Sequence, residues 1–245
     1  PIRMILRLGG GDLNALFGIA GFAGGIGFGT IFLKKGYSLQ RTYALSKLES
    51  AMMPAIQVGL LVLVVTAPAF IFFSQKGPGA MHAPWLISLA AGLVVGGLSQ
   101  FSRLCTVGGF RDLFLFKKSI LIFGYLAVLI GVFVVNISFG NFHLGFENQP
   151  IAHTDGLWNF LGMALAGFCS VLLGGCPLRQ LIMTGEGNSD SAVTVLGLAA
   201  GAAFAHNFGL AASGAGPTLN GEIAVGVGFV VAFIIAVLNT KRSNA

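Results

Sequence analysis

The side chains best suited to chemistry stand in a few short phrases of an otherwise apolar chain. Gly174-Gly175-Cys176-Pro177-Leu178-Arg179 sets a thiol one residue ahead of a proline. Proline is favoured at the first position of a helix, where its missing N–H costs nothing. Cys176 is therefore expected at a helix N-cap, beside free N–H groups and the positive end of the helix dipole. That setting favours a thiolate or a bound anion. Ser102-Arg103-Leu104-Cys105-Thr106-Val107-Gly108-Gly109-Phe110-Arg111-Asp112 puts a second thiol between two arginines, next to an expected Gly-Gly break. Arg103 and Arg111 serve equally well as anchors at a membrane surface; Cys105 is the sharper signal for lining a path. The third thiol, in Gly167-Phe168-Cys169-Ser170, lies inside an apolar run, where packing and path-lining are both open. Cys169 and Cys176 share one face if their helix is continuous. His206 and Asn207, in Ala205-His206-Asn207-Phe208-Gly209, are polar residues within another apolar run. Such groups usually face a bundle interior or a pathway, so a hydrogen-bonding role and a substrate role compete.

Metal and cofactor chemistry find no support in these phrases. Cys-x-x-Cys and His-x-x-x-His spacings are absent, so zinc, iron–sulfur clusters and other cofactors are not expected. Three cysteines in a chain of this length do not resemble a disulfide framework either.

The elements that carry these residues follow from composition. The chain is 55% hydrophobic and 9% charged, where a soluble domain carries about 25% charged residues. Seven apolar runs reach or approach the length that crosses a hydrocarbon core of about 30 Å. They cover 13–33, 54–74, 84–101, 119–139, 157–175, 192–212 and 223–238. An all-α membrane protein of about seven transmembrane helices is expected, in one membrane domain over 1–245. The net charge of +6 does not imply nucleic acid, because its placement reports orientation instead. With alternating crossings, Arg3, Arg7 and Lys76 fall on one side and the other eleven of the 14 Lys and Arg residues on the opposite side. The positive-inside rule then makes the C-terminus and the loops at 34–53 and 102–118 cytoplasmic.

One phrase occurs twice. With Pro1 set over Pro177, Arg3 meets Arg179, Gly9 meets Gly185 and Gly11 meets Gly187. Gly21, Gly25, Phe28 and Phe32 then meet Gly197, Gly201, Phe204 and Phe208. Each copy, 1–36 and 177–212, reads as a short Pro-x-Arg segment, a Gly-x-Gly break and a Gly/Ala-rich span. Small residues in that span let helix backbones approach closely. The breaks suggest re-entrant or broken helices, tolerated at membrane depth where protein buries them or a polar cavity adjoins them. Five spans separate the copies, so they enter from opposite faces: an inverted-topology repeat, the architecture typical of secondary transporters. Glu186, Asn188 and Asp190 follow the second motif, where they are expected to cap the next helix. The chain opens in mid-motif without an initiator Met, and a preceding N-terminal part is expected.

Gly-Gly-Cys-Pro-Leu-Arg-Gln-Leu at 174–181, Gly-Glu-Gly-Asn-Ser-Asp at 185–190, Ala-His-Asn-Phe-Gly at 205–209 and Cys-Thr-Val-Gly-Gly-Phe-Arg-Asp at 105–112 resemble the YeeE/YedE membrane family. More narrowly, they are similar to its YedE-type members, proposed as selenium transporters, and to its thiosulfate importers. The resemblance covers essentially the whole chain. It implies an inner-membrane protein with inverted repeats and cysteines along a central path, with Cys176 and Cys105 as matching path cysteines. It also implies that the preceding segment supplies further spans and cysteines.

These readings converge on an uptake transporter for a reduced sulfur or selenium species. Its expected path residues are Cys176, Cys105, Arg179, Arg3, Cys169, His206 and Asn207. The expected partners are a small sulfur or selenium anion, the lipid bilayer and a cytoplasmic sulfur or selenium carrier protein, with no nucleic acid. The expected location is the inner (plasma) membrane. A membrane thiol enzyme that relays sulfur or selenium to the carrier is the alternative; a purely structural subunit is a third reading.

Overall fold

Apolar runs too long for a soluble core become helices, because a helix satisfies its own backbone polar groups where no water can. A computed structural model describes residues 2–39, 46–68, 83–149 and 153–240. Among them the order is α1 (Ile2–Gly9), α2 (Asn14–Lys34), α3 (Lys47–Thr66), α4 (Trp85–Phe101), α5 (Thr106–Phe116), α6 (Ile120–Ser138), α7 (Gly156–Leu172), α8 (Pro177–Gly185), α9 (Ser189–Asn207) and α10 (Leu219–Leu238).

The fold is an all-α membrane protein. Five segments among the described residues are long and apolar enough to cross a bilayer: Asn14–Lys34, Trp85–Phe116, Ile120–Ser138, Gly156–Gly185 and Leu219–Leu238. The other two expected runs fall on α9 and on α3, whose apolar part is Pro54–Thr66. Positions 69–74 of the expected second run, and Pro1 of the expected repeat, lie outside the described residues. On α6 no residue is buried, and Phe123, Ile130 and Val134 stand exposed. Such a surface would be an aggregation liability in water and is ordinary against lipid.

The chain forms two compact units. The first comprises Pro1–Arg41, Cys105–Cys176 and Leu198–Ala245. Its centre is the contact of α2 with α7, set by glycine. A Cβ on Gly21 would stand 2.1 Å from the Phe160 carbonyl oxygen, and one on Gly25 only 1.9 Å from that of Ala164. From the other side, a Cβ on Gly167 would meet the Phe22 carbonyl oxygen at 2.4 Å. The two backbones touch, the small-residue packing expected where no hydrophobic effect drives helices together. Phe32, Tyr37, Phe168, Leu172, Ala232 and Ala236 extend this core between α2, α7 and α10.

The second unit comprises Thr42–Leu104 and Pro177–Gly197. Here α3 lies against α8, and the Gln57 amide donates to the Leu181 carbonyl at 3.4 Å.

The two expected copies share their local form. α1 stops at a left-handed Gly11 (φ 98°) before α2, and α8 stops at a left-handed Gly187 (φ 87°) before α9. A carboxamide or carboxylate then caps each long helix: Asp12 Oδ1 accepts from Asn14 N–H at 2.9 Å, and Asn188 Oδ1 from Ser191 N–H at 2.9 Å. Glycine is required twice over at Gly11, since a Cβ there would also sit 2.4 Å from the His143 carbonyl oxygen. The copies differ in what covers their glycines. Among the described residues, nothing outside α9 itself lies within 4 Å of a Cβ placed on Gly197 or Gly201.

Candidate functional site

The two signature cysteines are placed by one local device used twice. α4 ends with Leu104 N–H bonded to the Ser99 carbonyl at 3.1 Å, over a left-handed Arg103. α7 ends with Gly175 N–H bonded to the Ser170 carbonyl at 3.1 Å, over a left-handed Gly174. This is the reversal that satisfies the last carbonyls of a helix and turns the chain sharply. In both cases the cysteine follows at once and the next short helix starts directly after it. Cys105 precedes α5, and Cys176 precedes α8 at Pro177. The runs Ser99-x5-Cys105 and Ser170-x5-Cys176 thus form a second internal correspondence, which sequence reasoning missed although both serines and both cysteines stand in plain view.

Cys105 takes the N-cap role in extended conformation, its Sγ accepting from Gly108 N–H at 3.3 Å. The expected break at Gly108-Gly109 does not occur; both glycines lie inside α5, and the break falls at Arg103 instead. The glycines are small for packing rather than for turning. A Cβ on Gly108 would come 3.1 Å from Leu121 Cδ1, and one on Gly109 3.4 Å from Ile122 Cγ1.

Cys105 and Cys176 come together, each within electrostatic reach of the other, with Cys176 1% exposed. Thr106, at the first position of α5, is 2% exposed, and its Oγ1 is buried with no hydrogen-bond partner among the described residues. Tyr125 of α6 lies within electrostatic reach of Cys176, and its hydroxyl is likewise buried and unpartnered. The Tyr125 ring rests edge-on against Phe110, which packs edge-on against the buried Phe22. The first unit therefore sets the Tyr125 hydroxyl near Cys176 and Thr106 next to Cys105 in the chain, and neither hydroxyl has a hydrogen-bond partner among the described residues. Buried polar groups are almost always paired, and each of these hydroxyls can give one hydrogen bond.

The other expected residues lie elsewhere. Cys169 packs against the Phe32–Tyr37–Phe168–Leu172 core, which matches a packing role. Burial, and second the nearby Cys169, push the Tyr37 phenol above its ordinary range. Arg3 stands on α1 at the edge of a polar cavity, exposed. Arg179 donates to the Gln100 side chain at 2.7 Å, and Gln100 in turn bonds Glu186, all within the second unit. His206 and Asn207 end α9 in exposed positions, and the Asn207 amide turns back to the Ala203 carbonyl at 2.8 Å. Among the described residues no three His, Cys, Asp or Glu side chains gather as a metal-holding group.

Sequence reasoning missed Thr106 and Tyr125. Thr106 adjoins a signature cysteine, a signal that could have been used. Tyr125 is one aromatic residue in the run Ile120–Ser138 and becomes notable only when the fold sets it near Cys176.

A family model described as sulphur transport matches residues 101–240. That stretch takes in Cys105, Thr106, Tyr125, Cys169 and Cys176. No curated protein and no solved structure matches the chain.

Proposed function

The chain belongs to the sulphur transport family, and on that premise we propose that it carries a reduced sulfur or selenium anion inward past the Cys105–Cys176 thiol pair. The observation that carries this reading is the Cys105–Cys176 pair with two buried hydroxyls, Tyr125 near Cys176 and Thr106 next to Cys105 in the chain, that have no hydrogen-bond partner among the described residues. Each can give a hydrogen bond. An anion arriving among them accepts from several donors at once, while weak S–H bonds suit a soft sulfur or selenium atom. α5 begins at Cys105, and its N-terminal N–H groups favour negative charge. Several weak contacts hold the ion without trapping it, which conduction requires. The reading needs no covalent step.

The residue matches between 1–36 and 177–212, and the shared helix–Gly-x-Gly–helix form, support an inverted repeat. The charge distribution supports a plasma-membrane orientation with a cytoplasmic C-terminus. The ion would be handed to a cytoplasmic sulfur or selenium carrier on the inner side.

Cells producing the full protein are expected to lose uptake of labelled thiosulfate, or of a labelled selenium compound, on Cys176→Ala. Cys176→Ser, which keeps size and a donor but removes the soft atom, is expected to restore part of it. Uptake by Cys176→Ala equal to wild type would overturn the reading.

A further inference from the structure

Away from the thiols, the first unit holds a cavity of about 490 Å³ whose walls come from α1, the end of α6 and the segment 141–149. Its polar lining includes Arg3, Arg7, Asn136, Asn141, His143 and Gln149. The wall is rigid. His143 N–H bonds the Gly10 carbonyl at 2.9 Å, Gly145 N–H the Gly11 carbonyl at 3.0 Å and Leu13 N–H the Gly145 carbonyl at 3.0 Å. The Gln149 amide pins the same segment by donating to the His143 carbonyl at 2.7 Å and the Gly145 carbonyl at 3.0 Å. The Asn14 amide adds a bond to the Phe146 carbonyl at 2.6 Å.

Its charges are unevenly spent. Asp12, also in the lining, is consumed: Oδ2 takes Arg7 Nε at 2.5 Å, and Oδ1 takes both the Asn14 N–H and the Asn14 amide. Arg7 is fixed by that bond, yet its Nη2 is buried and has no partner among the described residues. Arg3 makes no hydrogen bond or ion pair among the described residues. The cavity thus presents a guanidinium held in place, a second guanidinium free to swing, and the Asn141 amide, since the Gln149 and Asn136 amides are spent on backbone carbonyls. Its carboxylate is already saturated. That donor set fits an oxyanion, whose oxygens match the planar fork of arginine.

We propose that this cavity is a binding site for a small inorganic sulfur oxyanion, a docking station separate from the thiol pair. The identity of the ion rests on the transport reading above; the existence of an anion site does not. Arg7 acts as the fixed donor, Arg3 as the closing one, and Asn141 as an amide contact at the rim. A site of this kind raises the local concentration of the ion.

The test is equilibrium binding of thiosulfate and of sulfate to the purified full chain in nanodiscs of zwitterionic lipid, which removes anionic headgroups as competitors. Arg3→Gln and Asn141→Ala are expected to weaken binding about 5- to 10-fold. Arg3→Lys should fall between wild type and Arg3→Gln, since it keeps the charge and loses the fork. The double replacement Cys105→Ala with Cys176→Ala should leave this binding unchanged. Wild-type affinity in both Arg3→Gln and Asn141→Ala, or loss of all binding in the cysteine double variant, would overturn the proposal. Adding anionic lipid should weaken ion binding little; full displacement would show a headgroup site and overturn it too. Protein that binds the ion but supports no flux in sealed liposomes would sink the transport reading and leave this site standing.

Discussion

Replacing Thr106 with valine is expected to stabilise the protein while impairing it. Thr106 is 2% exposed, and its hydroxyl has no partner. Valine keeps the shape and removes the group that burial penalises. A buried donor left unmade costs about 1–3 kcal/mol, and polar contributions in membrane proteins sit at the low end of such ranges. A gain of about 1 kcal/mol raises the Tm of a chain this size by about 2–4 °C. The same hydroxyl is assigned to the passing anion, so uptake should fall. One hydrogen bond to a charged ligand is worth about 1.5 kcal/mol, or about ten-fold in apparent affinity. Purified wild type and variant would be unfolded at one scan rate, followed by the fluorescence of Trp85 and Trp158, because multi-span proteins unfold irreversibly. Uptake would be measured on the same preparations in liposomes. Tyr125→Phe is expected to behave alike. A Tm lowered by several degrees with uptake intact would refute the reasoning, since it would give the hydroxyl a structural partner and no ligand.

Two further outcomes follow from the first unit. Gly25→Ala puts a Cβ 1.9 Å from the Ala164 carbonyl oxygen, so α2 and α7 must part by roughly 1.4 Å to reach a C···O contact of about 3.3 Å. The cost lies at or above the upper end of the 1–3 kcal/mol typical of overpacking, read as a Tm lowered by several degrees; an unchanged Tm would contradict the α2–α7 contact. His153, ahead of α7, has its pKa lowered from 6.5, chiefly by burial, with Asp155 opposing and Arg7 adding to the shift. The folded state therefore binds fewer protons than the unfolded one below that pH. Stability from neutral His153 is complete above about pH 6.5 and is lost as the pH falls toward the lowered value. His153→Gln should flatten that part of a stability–pH curve, and an unchanged slope would contradict it.

Long apolar runs made most of the fold legible. The expected 119–139 run is α6 at Ile120–Ser138, because hydropathy alone decides what a bilayer covers. Ends were less legible. The expected 157–175 run stops at Leu172, where left-handed Gly174 reverses the chain so that Cys176 can head the next helix. Glycine carried two meanings that sequence could not separate. Gly11 turns the chain, Gly25 admits a neighbouring carbonyl, and Gly108 and Gly109, expected to turn, make room inside α5. The thiols of the site were legible from Cys-Pro and from the phrase around Cys105. Its hydroxyls were not, since an orphaned hydroxyl is a property of what the fold fails to place beside it. Arg179 illustrates the reverse case. It matches Arg3 in the repeat, yet within its own unit it is engaged by Gln100, while Arg3 has no such partner among the described residues.

The account rests on movement of an ion past Cys105 and Cys176. Wild-type protein in sealed liposomes is predicted to accumulate labelled thiosulfate or a labelled selenium anion in the lumen, and the double replacement Cys105→Ala with Cys176→Ala is predicted to abolish that accumulation. Equal accumulation by both proteins, or a sulfur transferred to a carrier protein through a trappable persulfide with no accumulation at all, would contradict it.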